Sequence, residues 1–405
     1  MAVNLSEPTQ VLPVEGVRLA TAAAGIRYSG RDDLLLIEIA PQSSVAAVFT
    51  QNKFCAAPVT LAINNLKNNT PRYLIINAGN ANAGTGQLGM QAALATTKAV
   101  AQHLQVIPEQ VLPFSTGVIG EVLDVSKIKK QLPELGKSLS QDHWLQAAKA
   151  IMTTDTIAKA YSKIINIAGK NVVISGIAKG SGMIQPNMAT MLSYMATDLE
   201  IPQAALQALH SKAVDQSFNS ITVDSDTSTN DSSVLIATGK SEVSYQQLTD
   251  GEQKQFEKAL QWIMQRLAQA IVRDGEGATK FATVCIESAS HSQQAKAVAY
   301  CVANSPLVKT ALAASDPNWG RIMAAAGKCE DKDLQLLQAS LSINGVSVMD
   351  KGELDESYTE QAGKRAMQAD EIEIKIQLNI GKAKHTVWTT DLTHEYVSIN
   401  ADYRS

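Results

Sequence analysis

Residues 179–198 read KGSGMIQPNMATMLSYMATD, and the rest of the chain is read outward from them. Gly180, Gly182, Pro186 and the Asn187-Met188 pair break any helical or strand pattern as far as Ala189. Period-two residues resume with Met191, Ser193 and Met195. The spacing predicts a tight irregular loop that runs straight into a strand, with Thr190 at the junction. Taken alone, a threonine there is a good strand starter, because β-branched side chains fit a pleated surface.

A small residue followed by Thr, after a Gly-rich loop, is also what self-cleavage needs. The Thr190 hydroxyl can attack the carbonyl of Ala189 and shift the peptide to an ester. Hydrolysis then frees a Thr190 amine, which can serve as base for the hydroxyl of the same residue. A second strand runs into glycine at VLPFSTGVIG (111–120). There Thr116 and Gly117 offer a hydroxyl and a backbone N–H at one turn, the donors an oxyanion hole requires. The plainer reading is a strand followed by a turn.

The string KGSGMIQPNMATML (179–192) resembles the central motif of the ornithine acetyltransferases, the bifunctional glutamate N-acetyltransferase/amino-acid acetyltransferase family of arginine biosynthesis. STGVIG (115–120), SFNSITVDSDTSTND (217–231), VRDGEGATKF (272–281), SDPNWGRI (315–322) and INADYRS (399–405) resemble further segments of the same family. The resemblance implies cleavage between Ala189 and Thr190 into pieces 1–189 and 190–405 that form one intertwined catalytic unit, two of each in a heterotetramer. It implies Thr190 as nucleophile, Thr116 and Gly117 as oxyanion hole, and Thr153, Lys179, Thr190, Glu276, Asn400 and Ser405 as substrate contacts. Thr154 and Thr156 stand so near Thr153 that the register there stays open, and the family often ends in Thr where this chain ends in Ser405. The implied reaction moves an acetyl group from N-acetylornithine to glutamate through an acetyl-Thr190 ester and needs no cofactor. Some members also draw on acetyl-CoA. The alternative is a self-cleaving N-terminal-Thr amidase or aminopeptidase with water as acceptor; a third reading is a binding protein that retains the fold without catalysis.

Composition argues against two classes of partner. A net charge of −4 with mixed signs and 5% aromatic residues argue against a nucleic-acid stripe, a base-stacking platform or an anionic membrane surface. No apolar run reaches the ~20 residues of a membrane span. Cys55, Cys285, Cys301 and Cys329 are widely spaced and show no CxxC pattern, so they read as buried apolar residues in a reducing, cytoplasmic setting. VDSDTSTND (223–231) mimics a calcium loop but lacks the Gly and Glu such a loop needs.

Elements come in mixed order, which predicts α+β rather than a doubly wound sheet. The family resemblance implies helices on two mixed or antiparallel sheets, an αββα sandwich, with a smaller second lobe. Strands are expected over 34–40 and 44–50 as a hairpin, over 72–77 before the turn AGNANAG, over 163–168 and 171–178 as a hairpin, and over 232–237, 281–288, 340–348, 371–378 and 386–390. Helices are expected over 88–104, 139–152, 202–214, 245–272 and 292–314, the last interrupted at Pro306. SDPNWGRI is expected to open a helix with Ser315 or Asp316 as cap and Pro317 in its first turn.

Overall fold

The strands expected over 34–40 and 44–50 both form, but they do not pair with each other. The computed structural model describes residues 2–185 and 191–401. Its strands run in chain order as β1 Val17–Ala22, β2 Leu34–Ile39, β3 Ser44–Phe49, β4 Tyr73–Asn80, β5 Val111–Val118, β6 Lys159–Ile167, β7 Lys170–Lys179, β8 Leu192–Thr197, β9 Ile221–Thr222, β10 Ser232–Ala237, β11 Phe281–Ala289, β12 Ser340–Ile343, β13 Val346–Asp350, β14 Glu353–Leu354, β15 Glu371–Gln377 and β16 Ala383–Thr390. Both edges of β2 are taken, by β1 and β4, in a sheet of order β1-β2-β4-β5. The chain therefore leaves β2 across Pro41 and Gln42 (φ +68°) and lays β3 into a second sheet of order β3-β10-β8-β7-β6.

The chain divides into two compact units. The larger comprises Ser6–Asn219 and Asp226–Ile271, and the smaller Met1–Leu5, Ser220–Ser225 and Val272–Ser405. In the larger unit the first two sheets face each other: Leu35, Ile37 and Leu74 pack with Val45, Tyr194 and Val234 in one buried cluster. The intervening residues Leu34, Leu36 and Ile75 point the other way, onto Val100, Ile128 and Leu132 of the helices Gly86–Leu104 and Val125–Lys137, as the period of two requires. Behind the second sheet, Gly176 of β7 lies against Ile263 and Leu267 of the helix Asp250–Arg273. The edge strand β3 is covered by glutamines: Gln203 and Gln207 exchange hydrogen bonds of 2.8–3.3 Å with the backbone of Val45 and Ala47, which blunts an edge otherwise open to pairing. The layering is the expected helix–sheet–sheet–helix sandwich. The smaller unit is built on one sheet of order β14-β13-β12-β15-β11-β16-β9. Val298, Val302 and Ile322 of the helices Ser292–Ala303 and Trp319–Gly327 cover its residues Val284, Ile374 and Val387.

Further expectations need correction. Residues 340–348 are two strands, since Asn344 and Gly345 both take positive φ, as a two-residue hairpin demands. The helix after SDPN starts two residues late: Asn318 accepts from the Arg321 N–H, and Pro317 precedes the cap. β4 continues through Ala78, Gly79 and Asn80, so the turn begins only at Ala81. The cysteines are free but not buried: Cys55 is exposed and the other three are half-buried. The hairpin of β6 and β7 forms as expected, closed by Ala168 and Gly169 at positive φ.

Candidate active site

Thr116 and Gly117 lie near the end of β5, where it runs parallel to β4 with a register shift at Gly79 and Asn80. The two strands approach so closely that glycine is required at 117. Its φ is +131°, and a Cβ there would sit 2.2 Å from the Gly79 carbonyl carbon.

The buried Thr116 hydroxyl accepts from Lys179 Nζ at 3.2 Å. That leaves the hydroxyl proton for another acceptor and polarises it with a nearby positive charge. Lys179 closes β7 and is 4% exposed. The ammonium also feels the carboxylate of Asp155. Asp155 is the hub of this side of the site. Its Oδ1 accepts from Lys159 Nζ at 2.6 Å and from the Gly180 N–H at 2.7 Å, and its Oδ2 accepts from the Thr153 N–H at 3.0 Å. Burial by itself would push the Asp155 carboxyl up, but Lys159, Lys179 and the Gly180 N–H outweigh it and hold it well below the usual carboxylate range. Asp155 thus holds the Thr153 and Gly180 N–H groups, and its charge acts on Lys179, which donates to Thr116. Asp155 and Lys159 went unrecognised in the sequence, Asp155 because TTDT reads as the end of a helix.

Between the two sheets, Asn230 Nδ2 donates to the carbonyls of Ala81 (2.6 Å) and Ser115 (3.0 Å), tying the run before β10 to the strand that carries Thr116. Its neighbour Asp231 is buried. Burial pushes the Asp231 carboxyl well above its ordinary range, although the Met191 N–H, Lys179 and the Ser228 hydroxyl draw it partly back. The signal for it was there: an acidic residue directly before a strand buried along its whole length.

Two expected site residues belong to the smaller unit. Glu276 stands between Gly275 and Gly277, and its Oε2 accepts from Asn400 Nδ2 at 2.8 Å. A Cβ on Gly277 (φ +68°) would lie 2.4 Å from the Tyr396 nitrogen, so the glycine lets the helix His394–Ala401 dock on this loop. Ala189, Thr190 and Ser405 lie outside the described residues. Among the described residues, no cluster of three or more His, Cys, Asp or Glu side chains could hold a metal ion.

Comparison with known proteins shows the family. The family model described as the ArgJ family matches residues 18–405. The arginine biosynthesis bifunctional protein ArgJ of Methylococcus capsulatus is 50% identical over 402 residues, covering 99% of this chain and 98% of its own. The protein of the same name from Pseudomonas syringae pv. tomato is 48% identical over 408 residues, covering all of both. The crystal structure of the argJ protein of Bacillus halodurans aligns with a TM-score of 0.50 at 38% identity, covering 52% of this chain and 99% of that one. With such identity along its whole length, this chain belongs to the ArgJ family.

Proposed function

We propose that the protein is a self-cleaving acetyltransferase of arginine biosynthesis, which moves the acetyl group of N-acetylornithine to glutamate by way of Thr190. The observation that carries this reading is the full-length similarity to bifunctional arginine-biosynthesis proteins. The Thr116–Lys179 hydrogen bond gives it a chemical basis. Thr190 attacks the acetyl carbonyl, and the Thr116 hydroxyl with the Gly117 N–H stabilises the oxyanion. Each such donor is worth roughly 3–4 kcal/mol. Ornithine leaves, and glutamate then takes the acetyl group from the Thr190 ester. Thr153, Lys179, Glu276, Asn400 and Ser405 bind the amino acids in turn, and the Glu276 carboxylate is the natural partner of ornithine's terminal ammonium. The relatives carry the word bifunctional in their names, and we assign acetyl-CoA as the second acetyl donor.

Cleavage between Ala189 and Thr190 would leave β3, β6 and β7 on one piece and β8 and β10 on the other. In their sheet β10 and β8 lie between β3 and β7, with Lys179 opposite Leu192. That arrangement supports reading the pieces 1–189 and 190–405 as one catalytic unit. Coverage of 52% of this chain by nearly the whole of the Bacillus halodurans chain fits a relative that exists as two pieces of about half length. Two copies of each piece in a heterotetramer, and a cytoplasmic location, complete the reading. Among the described residues no helix is long and apolar enough to cross a membrane.

A covalent ester makes the kinetics ping-pong. Varying N-acetylornithine at several glutamate concentrations should give parallel double-reciprocal lines, and omitting glutamate should leave acetyl-Thr190 detectable by mass spectrometry. Intersecting lines with no trapped ester would mean direct transfer. The same assay with acetyl-CoA as donor tests the second activity.

A further inference from the structure

Glu276 is 7% exposed, and among the described residues its carboxylate receives one neutral donor, Asn400 Nδ2 at 2.8 Å, and no cation. A carboxylate offers about four acceptor positions, and a buried one is normally paired with a charge. The positions left open suit an ammonium brought by a ligand. The groups that hold this carboxylate in place lie in the same unit. Glu276 is the first corner of a turn closed by the Ala278 N–H on the Gly275 carbonyl at 2.9 Å, with Gly277 (φ +68°) as the second. The turn leaves into Thr279 and Lys280, and both of their N–H groups end on one side chain. Asp391 Oδ1 accepts from the Thr279 N–H at 2.9 Å and from the Lys280 N–H at 3.1 Å, and its Oδ2 accepts from the Thr279 hydroxyl. Two residues on, the Thr393 hydroxyl donates to the Gly277 carbonyl at 2.7 Å and accepts from the Tyr396 N–H at 3.4 Å, so it also caps the helix that carries Asn400. Asp391 is 3% exposed, and its charge acts on the buried Lys309, whose Nζ donates to Thr389 Oγ1 at 3.0 Å. The segment after β16 thus clamps the turn at Gly277 and again at Thr279 and Lys280.

We propose, resting on the reading of Glu276 as the site of ornithine's terminal ammonium, that Asp391 is a positioning residue for donor recognition: it fixes the turn Gly275–Ala278 so that the Glu276 carboxylate stands where a primary ammonium can meet it. Asp391 touches no substrate and moves no proton. Without its carboxylate the buried Lys280 N–H loses its acceptor, at a cost of about 1–3 kcal/mol, and the Thr279 hydroxyl loses its anchor. The turn then relaxes toward water and carries Glu276 with it. A shift of about 1 Å in a group that orients a substrate can cost 10²-fold. That loss falls on donors that carry the ammonium and spares a donor that lacks it.

The test compares two donors in acetyl transfer to glutamate by the full chain. One is N-acetylornithine; the other is N-acetylnorvaline, the same molecule with hydrogen in place of the terminal ammonium. The readout is the ratio of their kcat/KM values. Asp391→Ala should lower this ratio about 10–10²-fold. Asparagine keeps an acceptor oxygen for both N–H groups and can turn its amide to the Thr279 hydroxyl, so Asp391→Asn should hold the ratio within about threefold of wild type. General damage would lower both donors together and leave the ratio where it was. A folded Asp391→Ala enzyme with the wild-type ratio therefore overturns the proposal, and so does an Asp391→Asn enzyme whose ratio falls as far as the alanine's. Glu276→Gln tests the underlying reading by itself. It should lower the ratio at least as far, and adding Asp391→Ala to it should lower the ratio no further, because both act through one contact. An unchanged ratio in Glu276→Gln would sink the ammonium assignment and the role of Asp391 with it. A collapsed ratio there beside a wild-type ratio in Asp391→Ala would sink the role of Asp391 alone. If Asp391→Ala does not fold, Thr393→Val removes the anchor on Gly277 instead and should lower the ratio about 3–10-fold; an unchanged ratio in that variant counts against the clamp equally.

Discussion

Thr190→Ala is expected to leave a single chain of 43.3 kDa that transfers no measurable acetyl group. Both steps assigned to this residue need its hydroxyl. In the proposed scheme cleavage begins when Oγ attacks the Ala189 carbonyl, and transfer stores the acetyl group on the same oxygen. Alanine keeps the backbone and removes only that atom and a methyl group, so the fold should persist. The two sheets of the larger unit are closed by their own core and do not depend on the cut. The loss should be at least about 10⁴-fold in rate, the scale seen when a nucleophile is deleted from an enzyme that works through a covalent intermediate. Thr190→Ser retains an oxygen but loses the methyl that limits χ1, so it should cleave and turn over more slowly. A denaturing gel and an acetyl-transfer assay on the same preparation decide the matter. Cleavage in the alanine protein would show that the hydroxyl is not the scissile nucleophile, and residual transfer above about 1% of wild type would place the acetyl group elsewhere.

What could be read from the sequence was local, and what could not was pairing. The strands at Leu34–Ile39 and Ser44–Phe49 are visible as apolar runs, but a short connection between them fits a hairpin and a crossing between sheets equally well. The near-continuous apolar character of LLLIEI favours a strand buried on both faces, hence a sandwich. That cue does not say which edge β3 will meet. Asn344-Gly345 is the opposite case: the dipeptide is a strong hairpin signal, yet the single strand expected over 340–348 runs straight through the turn it makes. At the site, Lys179 and Thr116 are 63 residues apart in sequence. Only the family resemblance placed them together, because no spacing rule joins two strands of different sheets. Asp155 and Asp231 were missed for one reason. Each sits in a polar run with Ser, Thr or Asn neighbours, and such runs are usually solvated turns. Here both carboxylates are buried, and burial is set by the packing of distant strands.

Asp155→Asn should destabilise the larger unit by about 3–5 kcal/mol at neutral pH, the usual cost of removing one partner of a buried ion pair. The side chains of Asp155 and Lys159 are both fully buried at 2.6 Å. The asparagine has almost the same shape, so packing is kept while the charge is lost. Its amide nitrogen would face the Lys159 ammonium, the Gly180 N–H or the Thr153 N–H, all of which are donors, and at least one of them would lose its acceptor. The pH dependence separates this electrostatic account from a packing account. Folding depresses the Asp155 pKa, so its contribution to stability is fully present above the unfolded carboxyl value of about 3.9. It is lost as pH falls through the lower folded value. The gap between wild type and Asp155→Asn should therefore be constant from about pH 7 to 5 and shrink below about pH 4. Urea unfolding at pH 7, 5 and 3.5 measures it. A gap below about 1 kcal/mol at pH 7, or one that stays the same at every pH, would show that the buried pair does not hold this part of the site together. Because Gly180 follows Lys179 directly and hydrogen-bonds Asp155, the folded fraction of the variant should also cleave more slowly than wild type. The lost charge would free both the strand end and the ammonium that polarises Thr116.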